Sequence, residues 1–278
     1  MWYGNSSALF ALPSVASAGH APVSPTPPEF PKPGNRPLIT PAARFSVIIP
    51  TWNEEGYLAD AILSARQCQP GEILVVDGGS DDATVRIAAT LADRVFLAPR
   101  GRARQMNFGA ARARGEFLCF LHADCRLAPG ALFEAAKLLQ RPHLVAGCFR
   151  QRHEDAHWQF RCLDAAAQAR VRLLGLAYGD QGIFVRRDIF LQSGGFPEVP
   201  LFEDALLSRR LRRFGKLALA RSTVFVSPRR WQQNGFWRQT FLNWLFATAF
   251  LFGAPLPPLA RVYNQRRSLI DLRKTTMS

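Results

Sequence analysis

The sequence predicts an α/β protein, a mostly parallel sheet flanked by helices, with a helical, aromatic segment at its C-terminal end. Three observations carry this prediction. From Phe45 onward, short apolar runs alternate with segments of helical spacing, and the links between them are short. Thr51, Asp77, Arg100 and Asp124 recur just beyond the apolar runs, where open α/β sheets bind their ligands. The composition is globular, 48% hydrophobic and 20% charged over 278 residues, which is enough chain for one large core or two modest ones.

Residues 1–44 stand apart. "SPTPPEFPKPGNRP" is proline-rich without apolar periodicity and reads as an extended, disordered tail. "ALFALPSVASA" resembles a signal peptide only faintly: no basic residue precedes it, and Pro13 interrupts its short apolar core. An over-extended start codon accounts for the tail equally well. The main domain is expected over residues 45–232, followed by an apolar, aromatic segment and basic tail over 233–278.

"FSVIIP" is a buried strand, and "TWNEEGYLADAILSARQ" follows with Leu58, Ile62 and Ala65 at helical spacing. "EILVVD" is a second strand ending at Asp77. A second helix follows, with Ser80, Asp81 and Asp82 as capping candidates. "RVFLAP" is a third strand, "GRARQMNFGAARARG" a third helix and "EFLCFLHAD" a fourth strand. Beyond Pro129 come a helix, a strand near "LVAGCFR" and a helix through "WQFRCLDAAAQARVRLL". "LFEDALLSRRLRRFG" starts a helix at Glu203 and Asp204, with Leu207, Leu211 and Phe214 on one face. "KLALARSTVFVSPRRW" reads as two short strands and a basic turn.

The last apolar run, in "GFWRQTFLNWLFATAFLFGAPLPPLA", is shorter than the roughly 20 residues a spanning helix needs. Its aromatics and basic neighbours suit a membrane interface. A helix packed on the domain or in a dimer contact suits them as well.

The net charge is +14, mostly from arginine, which draws phosphates, nucleic acid or anionic lipid. The five cysteines form no C-x-x-C pair, so a zinc site is not expected, and they read as reduced core residues of a cytosolic protein.

Four blocks in order, "SVIIPTWNEEGYLADAI", "ILVVDGGSDDAT", "MNFGAARARGEFLCFLHAD" and "GGFPEVPLFEDALLSRRL", resemble the GT-A fold of inverting, family 2 glycosyltransferases. "GDQGIFVRR" and "SPRRW" further resemble a subgroup related to diaponeurosporenoate-type carotenoid glycosyltransferases. The resemblance implies a nucleotide-sugar donor, a UDP-sugar first, and a lipid-like or small-molecule acceptor.

Site residues follow by their match to these blocks. Asp77 matches the family's uracil contact, and its carboxylate suits a base edge; a helix-capping carboxylate is the plainer reading. Gly78 and Gly79 let the backbone approach a ligand. Thr51 and Glu54 lie in the loop the family uses on the nucleoside, although Glu54 also suits a first helical turn. Five arginines fall within fifteen residues, of which Arg100 and Arg104 are the expected phosphate contacts and Arg112 and Arg114 a solvated face. Asn107 fits the family's pattern too.

The family's Asp-x-Asp motif stands here as His122-Ala123-Asp124. Asp124 is implied to hold a divalent cation, Mg²⁺ or Mn²⁺, and His122 takes the place of the ribose-contacting carboxylate. Asp204 is implied to be the catalytic base, with Glu203 beside it, and the helix start is expected to keep it ionised. Asp180 and Gln181 are expected on the acceptor side, and Arg229, Arg230 and Trp231 near the diphosphate and acceptor. The cytoplasm, on the inner face of the membrane, is the expected location.

Rival classes fit less well. A Rossmann oxidoreductase needs G-x-G-x-x-G after the first strand, and it is absent. "PTWNEEG" does not supply the glycine-rich signature of a nucleotidyltransferase. A basic membrane- or nucleic-acid-binding protein without catalysis explains the charge but not four ordered acidic loops, so no nucleic-acid partner is expected.

Overall fold

The computed structural model describes residues 40–254. Of the disordered tail expected over residues 1–44, residues 1–39 lie outside the described residues, as does the basic tail beyond 254, while residues 40–44 are ordered, with Ala42 buried. Thr40 accepts a hydrogen bond from the Ala43 N–H, capping a 3-10 turn (Pro41–Arg44) that leads into the first strand.

Strands β1 (Phe45–Thr51), β2 (Glu72–Asp77), β3 (Arg94–Leu97) and β4 (Phe117–Phe120) run parallel in the order β3-β2-β1-β4. The sheet continues through β7 (Ile183–Arg186), β6 (Leu144–His153), β8 (Lys216–Val226) and β5 (Cys125–Leu127). β7 is antiparallel to β4 and β6, β6 and β8 are parallel, and β5 is antiparallel to β8. The eight-stranded sheet is therefore mixed and mostly parallel, as expected.

Side-chain alternation splits the core between two faces. Phe45, Val47 and Ile49 point to one side, against α1 (Leu58–Gln67), α2 (Thr84–Leu91) and α4 (Ala131–Leu139). Ile48, Val76 and Phe120 point to the other, against α3 (Arg102–Arg112), α6 (Arg187–Gln192) and α7 (Glu203–Leu211). Covering both faces explains why the central strands are continuous apolar runs rather than alternating ones.

Several local expectations are corrected. "KLALARSTVFV" is one strand, because β6 pairs with it along its length and absorbs the break as a register shift between Cys148 and Arg150. The basic turn after it opens a helix, α8 (Arg229–Asn234). The N-cap position of α2 is Ala83; Ser80 and Asp81 accept hydrogen bonds from Asn53 in the first loop, whereas Asp82 accepts from the Glu55 N–H and, at 2.9 Å, from the Thr84 N–H that opens the helix. Phe214 lies past the end of α7 and is exposed. Four cysteines are buried, but Cys162, on the outer side of α5 (Trp158–Leu174), is exposed.

The aromatic segment forms α9 (Phe236–Leu251). Its Gln239, Phe246 and Phe250 are buried, while Trp237, Phe241 and Trp244 stay exposed. The helix packs on the domain and still presents an aromatic outer face. Among the described residues no helix is long and apolar enough to cross a membrane.

Candidate active site

The parallel register puts the ends of β1 and β2 side by side, with Thr51 opposite Asp77. Asp77 is fully buried. One of its oxygens accepts from the Gly79 and Ser80 N–H groups at 2.8 Å, the other from Thr51 Oγ1 at 3.1 Å and from Ser80 Oγ. Its acceptor capacity is therefore taken up in shaping the loop, where Gly79 adopts φ +88°. Gln105 of α3 ties the same strand ends together, donating to the Thr51 carbonyl at 2.7 Å and to the Val76 carbonyl at 2.8 Å.

Below this rim lies a cavity of about 1430 Å³. Its polar end holds Thr51, Trp52, Glu54 and Arg100. The Arg100 guanidinium stacks 3.2 Å from the centre of the Trp52 ring, leaving a cation and an indole together at the mouth. Arg102 also reaches the cavity and pairs with Glu203 at 3.2 Å. Arg104 does not line it; it pairs with Glu198 on the surface, where both side chains are more than half exposed. Asn107 is a clamp: its amide donates to the Phe196 carbonyl and its oxygen accepts from the Phe196 N–H, which fixes the "GGF" loop ahead of α7.

The antiparallel β5–β8 pair brings Asp124 beside the start of α8, and the Ser227 N–H donates to the Asp124 carbonyl at 3.1 Å. Arg229 grips both Glu54 oxygens, at 2.7 and 2.8 Å, and reaches Asp124 Oδ2 at 2.9 Å. Burial alone would raise the Asp124 pKa, but Arg229, then Arg230, His122 and Arg102, outweigh it and hold the carboxyl at about 2. His122 is pushed the other way. Burial, then the Arg102 charge, lowers it to about 3, so the imidazole is neutral. Its Nε2 is buried with no hydrogen-bond partner among the described residues.

Asp204 sits at the first turn of α7. Its Oδ2 accepts from the Gly179 N–H at 2.6 Å and its Oδ1 from the Ala205 N–H at 2.7 Å. The expectation that the helix start keeps it ionised is corrected. Burial first, and the Glu203 charge second, raise it to about 7 against the pull of both N–H groups and Arg102. Gly179 is required here: a Cβ would come within 2.4 Å of His122 Nε2 and 3.5 Å of Asp204 Oδ2. The imidazole and the proton-holding carboxyl therefore flank one glycine.

Asp180 lines the cavity, with a buried Oδ1 that lacks a partner among the described residues. Gln181 is fully buried away from it and holds Arg170 at 2.8 Å. Arg230 and Trp231 line the wall, and the Trp231 indole donates to Thr240 at 3.1 Å, tying α8 to α9.

A sequence model described as Glycosyl transferase family 2 matches residues 46–190, just over half of the chain. The chain belongs to this family. An uncharacterized glycosyltransferase of Haemophilus influenzae is 32% identical over 120 residues, 40% of this chain and 46% of that protein. The poly(ribitol-phosphate) beta-N-acetylglucosaminyltransferase TarS of Staphylococcus aureus is 31% identical over 111 residues, 36% of this chain and 19% of that protein. The chain thus spans less than half the length of these curated relatives. Two solved structures share the fold. The mannosyltransferase PcManGT of Pyrobaculum calidifontis, in complex with GDP-Man and Mn²⁺, has a TM-score of 0.56 at 24% identity, covering 78% of this chain and 68% of that one. Residues 1–349 of S. aureus TarS, in complex with UDP-GlcNAc, have a TM-score of 0.51 at 19% identity, covering 66% and 58%.

One group of residues in the site could hold a metal ion. His122, Asp124 and Cys125 offer ligand atoms within 4.8 Å of one another. Asp124 is ionised and the His122 nitrogen is unpartnered, whereas burial holds the Cys125 thiol protonated, so oxygen and nitrogen are the donors on offer.

Proposed function

We propose that the protein is a metal-dependent, inverting glycosyltransferase. It moves a sugar from a nucleoside-diphosphate donor, a UDP-sugar first, to a hydroxyl or carboxyl of a lipid-like acceptor. One observation carries the reading: a carboxylate held ionised, Asp124, shares a cavity with a carboxyl tuned to about 7, Asp204. Environments that push two acids apart in this way divide their roles between charge binding and proton transfer.

In this reading Thr51 and the loop moulded by Asp77 receive the nucleoside, with the Trp52 ring as a stacking surface. His122 offers its free nitrogen to a ribose hydroxyl. A divalent cation, Mg²⁺ or Mn²⁺, held at Asp124, supplies positive charge to the diphosphate when bound. Arg100, Arg229 and Arg230 add fixed positive charge for the leaving diphosphate. Asp204 accepts the proton of the acceptor O–H while that oxygen bonds to the anomeric carbon and the bond to the diphosphate breaks on the opposite face. Glu203 raises the basicity of Asp204, and Asp180 lies near enough to orient the acceptor. Glu54, Arg104, Asn107 and Gln181 act as positioning groups.

TarS and PcManGT, solved with UDP-GlcNAc and with GDP-Man and Mn²⁺, support the donor class. The likeness to diaponeurosporenoate-type carotenoid glycosyltransferases and the exposed aromatics of α9 support a lipid-like acceptor and a peripheral position on the inner face of the membrane. Calorimetry with UDP and GDP, with and without Mn²⁺, tests the donor half. Metal-dependent binding of either nucleotide is expected; binding of neither would leave only a basic protein that retains the fold.

A further inference from the structure

The cavity is larger than its polar end requires. Small-molecule sites commonly occupy about 300–1,000 Å³, and this one reaches about 1430 Å³. Beyond the polar end, the cavity is lined by α5 and α9. On α5 the lining residues Leu163, Ala166, Ala167 and Leu174 follow helical spacing, so one helix face forms one wall. On α9 Asn243, Ala247 and Leu251, at intervals of four, form the wall that shares it.

Helix α9 is fastened to the domain by aromatic contacts near both of its ends. Phe236 meets Phe160 of α5 at 5.2 Å between ring centres, and Phe250 stacks on Phe202, ahead of α7, at 4.5 Å. The middle of α9 lines the cavity, and the small side chains of Ala166, Ala167, Ala169 and Ala247 keep the space open. Among the described residues Arg170 is the one charged group on this wall; Gln181 engages it, and it lies 3.5 Å from the centre of the Tyr178 ring. Trp244, Leu174 and Leu251 line the same cavity as the Asp204 carboxyl and are exposed, which gives the cavity an apolar rim.

We propose that this part of the cavity is a binding site for a single hydrocarbon chain, the tail of the acceptor, whose polar head then meets Asp204. The proposal rests on the transfer reading and adds the ligand subsite. Continuity with Asp204, the predominance of Leu and Ala on the α5 wall and the apolar rim favour a membrane-derived chain over a polar acceptor. Leu163 and Leu174 lie eleven residues apart, so the wall is about 16 Å long. At about 1.2 Å per bond of an extended chain, that length takes roughly a dozen carbons.

The test uses the full chain and the fluorescent fatty acid 11-(dansylamino)undecanoic acid, displaced by n-alkanols of increasing length. Affinity is expected to rise by up to about fourfold per methylene and to level off near a dozen carbons. Ala247→Trp and Ala166→Trp, two separate plugs, should each weaken the probe at least tenfold and leave UDP and GDP binding unchanged. Asp204→Asn should bind the probe as the wild type does. If the probe does not bind, or binds equally to both folded plug variants, the chain site is wrong while nucleotide binding still upholds the transfer reading. If nucleotides fail to bind but the plugs block the probe, the chain site stands and the transfer reading falls. A stable dimer by sedimentation that excludes the probe would assign the wall to a second copy and overturn the proposal.

Discussion

Asp204→Asn should cost activity and add stability, and the two effects should follow the same titration. The Asp204 carboxyl is raised to about 7, chiefly by burial and then by Glu203. As the base it must be ionised, so the wild-type rate should rise about tenfold between pH 6 and pH 8. Its folded pKa exceeds its unfolded value, so the folded state holds the proton more tightly. Stability is therefore lost as pH rises from about 4 to about 7 and stays lost above that. At about 1.4 kcal/mol per pKa unit, the ionised form costs up to about 4 kcal/mol. Asparagine removes that cost but keeps a single acceptor oxygen for the Gly179 and Ala205 N–H groups, a loss of about 1–3 kcal/mol. The net expectation at pH 8 is a gain of about 1–3 kcal/mol, several degrees in Tm for a domain of this size, and none at pH 5. Turnover should fall about 10²–10⁴-fold with donor affinity kept. Thermal unfolding at both pH values and a pH–rate profile read all of this. Near wild-type turnover, with no pH-dependent gain in Tm, would refute the assignment and leave Asp180 as the next candidate.

Other outcomes follow from the same geometry. Asp124→Asn should abolish Mn²⁺-dependent UDP binding and leave the fold intact; unchanged metal-dependent affinity by calorimetry removes it as ligand. Arg229→Gln unpairs Glu54 and Asp124 together, both largely buried, and should destabilise the protein by about 3–5 kcal/mol in denaturant unfolding. Because the guanidinium sits on Asp124, the same variant should bind Mn²⁺ more tightly without donor. Glu203→Gln should lower the acid limb of the pH–rate profile, with a smaller loss of turnover than Asp204→Asn. Association with anionic liposomes through the α9 face should fall as salt rises, and failure to bind at low salt would leave that face to another partner.

Much of the fold was legible because it is written in local pattern. The apolar runs of β1, β2 and β4 are long and continuous, and the glycine-rich loops punctuate them. The site was less legible where contacts are distant in sequence. Glu54 and Arg229 lie 175 residues apart, and only the β5–β8 pairing brings Arg229 onto Asp124. Helical phase separated the arginines: Arg102 reaches the cavity while Arg104 faces solvent, a distinction that waits on where α3 begins. The Asp204 titration was hidden for another reason. The helix start argues for an ionised carboxylate, and only the depth of the cavity reverses it.

The central claim is sugar transfer from a nucleotide donor under Asp204. It is tested most directly by release of nucleoside diphosphate from a panel of UDP- and GDP-sugars with Mn²⁺, run on wild type and on Asp204→Asn with an alkanol acceptor present. The account predicts release from one donor class by the wild type, stimulated by the acceptor and lost in the variant although it still binds the nucleotide. Equal release by both proteins, or none from any donor by a wild type that binds UDP or GDP, would contradict it.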